Sequence, residues 1–336
     1  MEATVETMTS ILRSPFRSPA VGLYFLAPLI AEFFLGDFPI VMLPLLIPLS
    51  LWYGGGALLI REVARRRGLG WRSILLMGLA FAIVEEGLLT MSLFNPDYAD
   101  QRLLDRGHVA MLGIGIPWTI FVLALHVGWS VATPIALMET AQPGRRTEPW
   151  LSRPALRAVV GITVVGAAVV FGTNYPAYGH FIASAPQLIV SAAIAALLVT
   201  IALRTPGSAR VDTGQAPRAG MVFATTMLCA GAFHLGMHAP TTAAVIVMTA
   251  SIAALLTALA AWSRRPGWDQ THVFAVAAGM LLTYSWRAFT AGYGSGTADL
   301  VLSLVSYTVY ALAAVAILTV CRRRMSGVPG NVQLSV

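Results

Sequence analysis

The sequence contains no lysine, only 15 acidic residues and two cysteines, and it has no polar segment long enough for a soluble domain. Each shortage removes a class of protein. Without lysine, the formal charge of +7 rests on 22 arginines, which stand in short clusters between apolar runs. A nucleic-acid-binding domain gathers its basic groups on one face, so that class is excluded and no nucleic-acid partner is expected. Cys229 lies inside an apolar run and Cys321 beside Arg322, at different expected depths, so neither a disulfide framework nor a thiolate metal site follows. Charged residues make up 11% of the chain and hydrophobic ones 57%, with a mean hydropathy of +0.74. That is more apolar surface than one soluble core can hide.

Apolar runs of roughly 18 to 24 residues, enough to cross about 30 Å of hydrocarbon at 1.5 Å per residue, occur ten times. They cover 20–37, 39–60, 72–94, 115–138, 155–173, 185–203, 219–238, 240–262, 271–289 and 299–320. The expected fold is therefore all-α, a polytopic integral membrane bundle of about ten transmembrane helices. Residues 1–19 form a cytoplasmic amphipathic N-terminus, 20–321 a single transmembrane domain and 322–336 a cytoplasmic tail. The polar, mixed-charge start argues against a secretory leader. The weakest division is Ala239-Pro240, where a tight turn and a kinked single helix fit equally. In the loop 95–113, Leu103, Leu104, Val109 and Leu112 recur among charged residues and suggest a surface helix.

Arginine placement sets the orientation. With the N-terminus inside, nineteen arginines fall in cytoplasmic segments and only Arg102, Arg106 and Arg287 outside. Both termini are then cytoplasmic. A chain without lysine but rich in Ala, Gly, Val and Arg suggests a GC-rich bacterium, hence a multi-pass protein of the bacterial cytoplasmic (inner) membrane.

Ionisable groups at membrane depth cost several kcal/mol and mark functional positions by default. Counted from the expected cytoplasmic ends, Glu32, Glu85, Glu86, His126 and His234 form one layer in the outer half, roughly 15 to 21 Å above the inner edge. His238, Arg287, Asn95, Asp97 and Asp299 sit near its outer lip. Glu85 and Glu86, in "AIVEEGLL", point about 100° apart on a helix, so one can address a cavity while the other grips a neighbour. A carboxyl group there can hold or release a proton, which suits a general acid or base; a helix clamp balanced by Arg287 is the structural alternative. His126 is a candidate to orient water or stabilise an oxyanion. His234 and His238, one turn apart, have the spacing of two metal ligands, but Leu235 stands where HExxH places a glutamate. No metal or other cofactor is expected, with a divalent ion at that pair as the alternative. Glycines 54 to 56 fit close helix packing better than a break lining a pathway.

The glutamate pair followed by a histidine on the next helix resembles the CPBP family of intramembrane proteases, which includes CAAX-prenyl and bacteriocin-processing enzymes. The family carries EExxxR, FxxxH and then HxxxN or HxxxD. Glu85 and Glu86 match the first motif with Thr90 at the arginine position. Phe121 and His126 are spaced one residue wider than the second, and His234 and His238 fit the third with histidine in place of asparagine. The resemblance covers residues 78–130 and implies peptide hydrolysis, with a glutamate activating water and histidines, or in another account a metal, supporting the oxyanion. The expectation is thus a membrane-embedded enzyme with Glu85, Glu86, His126 and His234 catalytic and Glu32, Asn95, His238 and Arg287 binding. Its partners would be membrane lipids and a peptide or lipid-like substrate in the bilayer. A transporter, a non-catalytic membrane partner and an acid-base enzyme acting on a lipid or isoprenoid are the alternatives.

Overall fold

The computed structural model describes residues 18–205, 214–290 and 296–326. The amphipathic segment expected at 1–19 lies outside them except for its last two residues, as does the tail beyond 326. Among the described residues ten helices follow one another. They are α1 (Pro19–Phe34), α2 (Ile40–Arg66), α3 (71–89), α4 (Ile116–Thr140), α5 (Arg153–Ala177), α6 (Ala185–Arg204), α7 (Ala219–Gly236), α8 (Thr241–Trp262), α9 (Gln270–Ala288) and α10 (Thr297–Ser326). Seven of them, α2, α4 to α8 and α10, are long and apolar enough to cross a membrane. The chain is an all-α membrane bundle.

Each helix overlies one expected segment. Ala239-Pro240 lies in the tight turn between α7 and α8, which settles that division in favour of two helices. The larger departures are at C-terminal ends: α2 runs on to Arg66, and α10 continues through Arg322, Arg323 and Arg324. Basic side chains favour the negative end of the helix dipole, so these arginines extend the helix rather than end it. The surface helix expected in 95–113 does not form. Gly107 and Gly113 take positive φ, each just before a strand, and His108–Val109 pairs with Ile114–Gly115 in a short antiparallel hairpin. Only Leu104 of the four apolar residues is buried there.

Burial sorts the helices into centre and rim. The most apolar window of α4 is 67% enclosed, against 11% for α5 and α8, whose Val, Ile and Leu side chains face outward as lipid requires. Trp129 of α4 donates to the Met280 carbonyl at 2.8 Å and stacks on Tyr284, both of α9, at 4.8 Å. On the other side α3 is tied to α6 by Ser73, whose hydroxyl donates to the Ala202 carbonyl at 2.8 Å. Helix starts follow their capping residues. Ser152 accepts from the Ala155 amide at the head of α5, and Asp269 accepts from the Thr271 amide at the head of α9. Burial alone would raise the Asp269 pKa, but hydrogen bonds from His272 and the Thr271 amide hold it below the ordinary carboxylate value.

The glycine run of α2 packs three helices at once. A Cβ on Gly54 would strike the Tyr24 carbonyl of α1, on Gly55 the Thr163 hydroxyl of α5, and on Gly56 the Phe81 ring of α3. Successive residues point about 100° apart, so three glycines in a row admit three neighbours. Gly54→Ala must push backbone away and should lower stability by about 1–3 kcal/mol, whereas Gly161→Ala, with open space at its Cβ, should not. Thermal unfolding in detergent checks this; equal stability of the two variants would show that α1 and α2 do not pack as described.

Candidate functional site

Four neighbouring helices each contain one wide π turn: Leu29–Phe34 in α1, Ser50–Gly54 in α2, Glu85–Leu89 in α3 and His126–Ala132 in α4. Such turns give up the regular i to i+4 bonding, and they occur mostly where a functional side chain must be re-aimed. The sequence supplies local causes. Pro134 has no N–H for the Ser130 carbonyl, and the Thr133 hydroxyl instead donates to the Gly128 carbonyl at 2.8 Å. Proline also stands just upstream of the turns in α1 and α2, at Pro28 and Pro48, and Gly87 lies within the one in α3. Glu32, Tyr53, Glu85 with Glu86, and His126 with Ser130 all sit on these turns.

The two carboxylates meet on one imidazole. His126 Nε2 is 2.7 Å from Glu86 Oε1, and His126 Nδ1 is 3.2 Å from Glu85 Oε2. All three side chains are buried. Glu86 is saturated: the Thr90 hydroxyl donates to its Oε2 at 3.1 Å, and the Ser92 hydroxyl makes a short hydrogen bond to the same oxygen. Ser92 in turn accepts from Trp118 Nε1 at 3.2 Å, and Ser130 Oγ lies 3.3 Å from His126 Nδ1. Glu85 differs. Its Oε2 faces His126 Nδ1 without hydrogen-bond geometry, and among the described residues neither that oxygen nor the buried Trp52 Nε1 that faces the same carboxylate makes a hydrogen bond of good geometry. Tyr53 stacks on His126 at 5.9 Å, and its hydroxyl faces both Glu85 and Glu32.

The expected residues therefore separate. Glu85, Glu86 and His126 converge, with Glu32 at the edge of their cluster through Tyr53. His234 does not join them. Its ring is boxed by Phe121, Trp129, Phe233 and Tyr284 at centroid distances of 4.9 to 5.6 Å, and both its nitrogens are buried without a hydrogen-bond partner among the described residues. His238, one turn on, is exposed, whereas the His234 ring is buried in its aromatic box. Asn95 is a loop brace, donating to the Tyr178 carbonyl at 3.2 Å and accepting from the Asp97 amide. Arg287 donates to the Leu35 carbonyl at 3.1 Å. The cation expected to balance the glutamates thus caps the end of α1, and the group facing the pair is His126.

A sequence model built on a family of membrane proteins matches residues 22–331, nearly the whole described bundle. The chain belongs to an uncharacterized membrane protein family. No match to the CPBP proteases accompanies it, and no curated protein and no solved structure matches the chain. The family match runs from within α1 through α10, so the four π turns and the Glu85, Glu86 and His126 cluster lie inside the matched region.

In this family member, Thr90, Ser92, Ser130, Tyr53 and Trp118 complete the cluster, and none of them stands out in the sequence. Two carry a readable signal: Thr90 is four residues after Glu86 and Ser130 four after His126, the spacing of one helical face. Ser92 carries none, because α3 has ended and Met91 turns the chain back with φ of 55°. Thr90 occupies the position of the CPBP arginine and still contacts Glu86. Each of Glu85, Glu86 and His126 offers one ligand atom, all within 4.8 Å of one another, so the same set has the donor chemistry for a divalent ion with water completing its shell.

Proposed function

We propose that the chain is a membrane-embedded acid-base enzyme that hydrolyses a bilayer-resident substrate, with Glu85 as general base and Glu86 and His126 holding the proton relay in place. The observation that carries this reading is the asymmetry of the two carboxylates. Glu86 spends its oxygens on Thr90, Ser92 and His126, whereas Glu85 Oε2 has the ion-pair contact with His126 Nδ1 and, among the described residues, no hydrogen-bond donor. A water lodged at Glu85 would give up its proton to that carboxylate while its oxygen attacks a carbonyl carbon. His126 would stabilise the tetrahedral intermediate, and the departing amine or alcohol would take the proton from Glu85 as the scissile bond breaks. The CPBP resemblance favours a peptide; a lipid or isoprenoid ester would use the same steps.

Heavy-oxygen water tests the reaction even while the substrate is unidentified. Membranes carrying the wild-type chain should yield products that incorporate the label, and membranes carrying Glu85→Gln should lose them. An identical labelled set from both would remove the hydrolase reading. Proton-coupled transport is a second reading, favoured by the line from Glu85 through Tyr53 and Glu32 toward the exposed Asp37. Proteoliposomes reporting internal pH distinguish it, since an enzyme should move no protons across the bilayer.

The orientation is part of the proposal: both ends cytoplasmic, in a bacterial inner membrane. Its support is the arginine asymmetry, reinforced by the engagement of all three outer arginines. Arg102 pairs with Asp105 at 2.7 Å, Arg106 donates to the Met237 and Ala239 carbonyls, and Arg287 to Leu35. Topology reporters placed after Arg324 and beside Asp105 should read cytoplasmic and external; one side for both would mean a miscounted helix.

No tightly held zinc is expected at His234, because a single histidine in an aromatic box supplies one ligand where a structural zinc site needs four. Stoichiometric zinc in the purified protein that disappears in His234→Ala would overturn this.

A further inference from the structure

Between α2, α3, α5 and α6 runs an open groove of about 930 Å³ that the acid-base reading does not use. Its walls are apolar, including Val63, Met77, Val84 and Ala196, and among its lining residues only Arg66 and Arg67 carry charge. They stand together at the end of α2. Arg66 is fixed by Glu62, at 3.2 Å, and by the Leu151 carbonyl, yet its Nε is buried without a partner. Arg67 is exposed, and while its amide donates to the Val63 carbonyl, its guanidinium makes no hydrogen bond or ion pair among the described residues. Along α2 the groove extends from Arg66 back to Trp52, about 21 Å at 1.5 Å per residue, more than the roughly 15 Å of hydrocarbon in one leaflet.

An apolar slot of full acyl-chain length that ends in two unsaturated guanidinium groups selects its occupant by charge. We propose that the groove binds an anionic membrane phospholipid, with one acyl chain lying along α3 and α6 and the phosphate on Arg66 and Arg67. Guanidinium forks match phosphate oxygens in pairs and are weakly hydrated, so this contact survives at the membrane edge. A zwitterionic lipid would bring an ammonium to the same arginines and bind less well. The far end of the chain meets Trp52, which stacks on Phe81 at 4.7 Å, and the Phe81 ring in turn lies edge-on to His126 at 6.3 Å. The lipid thus rests against the outside of the glutamate cluster's wall, and its binding stands or falls independently of what the cluster does.

Trp52 is the built-in reporter. The full chain in mixed micelles is titrated with phosphatidylglycerol brominated at mid-chain, or with equally brominated phosphatidylcholine, and the Trp52 signal is taken as the difference from Trp52→Phe. Phosphatidylglycerol should quench it at a several-fold lower mole fraction than phosphatidylcholine. Arg67→Gln, at a position whose guanidinium has no internal partner among the described residues, should erase that preference, and Ala196→Phe should weaken quenching by both lipids by filling the slot. Native mass spectrometry of the intact protein gives a second measure that needs no Trp52 variant: phosphatidylglycerol adducts on the wild type should fall to the phosphatidylcholine level in Arg67→Gln. Equal quenching by the two lipids in the wild type, or a preference that persists in Arg67→Gln, would overturn the proposal.

Discussion

Glu85→Gln should abolish turnover while leaving a folded, membrane-inserted protein, and Glu86→Gln should do the reverse in part. The two side chains are neighbours on α3 and both are buried, so a difference between them has to come from their partners. Glutamine keeps the volume of Glu85 and one acceptor oxygen for the Tyr53 hydroxyl, and at Oε2 it gives up an ion-pair contact with His126 Nδ1 that lacks hydrogen-bond geometry. It removes the base, and the loss expected for a positioned general base is on the order of 10² to 10⁴ in rate. At Glu86 the same change turns a carboxylate that accepts from Thr90 and Ser92 and faces His126 into an amide with one acceptor oxygen. Its amide oxygen can keep both hydroxyls at the Oε2 position only with the NH2 turned to His126 Nε2, so the imidazole loses its charged acceptor there. The result should be a drop in thermal stability of about 1 kcal/mol for exchanging a charge-assisted hydrogen bond for a neutral one, together with a partial loss of rate because His126 Nε2 must then be unprotonated. If the pair only clamps helices, both variants should melt early and by similar amounts. Retention of full activity in both would remove the catalytic reading altogether.

The membrane architecture was legible because its cause is local. A helix in lipid must satisfy its own backbone and present about twenty apolar side chains, and both conditions are written in consecutive residues. The arginine alternation then tied the helices to one another. The site was legible only in part. Glu85, Glu86 and His126 could be read as exceptional because they interrupt apolar runs, and their convergence followed from adjacent helices at similar depth. His234 obeyed the same rule and yet stands apart, since depth alone does not say which way a side chain faces around the bundle. Its enclosure depends on Trp129 and Tyr284, residues that look like ordinary packing in the sequence. The π turns were beyond such a reading for a related reason. They shift the facing of the residues that follow them, and the prolines near them are equally common in helices that stay regular.

A second polar cluster, at the inner end of the bundle, is hidden in the sequence because its arginines look like topology signals. Arg61 has no exposed surface, and its guanidinium pairs with Glu62 at 2.8 Å and Glu139 at 3.1 Å, donates to the carbonyls of Arg145 and Arg146, and lies 3.4 Å from the centre of the Trp150 ring. Glu139 is also held by Arg65 at 2.6 Å, and Glu62 accepts from the Trp150 and Leu151 amides. One side chain therefore joins α2 to α4 and to the connection that leads into α5. Arg61→Met keeps much of the apolar stem but leaves two buried carboxylates short of a partner and the Arg146 carbonyl without its guanidinium donor, while the Arg145 carbonyl keeps Trp150 Nε1. Removing one member of a buried ion pair costs about 3–5 kcal/mol, so this variant should unfold at much lower temperature in detergent. The connection 141–152 should become open to protease in it before the helices melt. An Arg61→Met protein as stable as Arg67→Gln would mean that the arginine contributes charge to the inner surface and nothing to the fold.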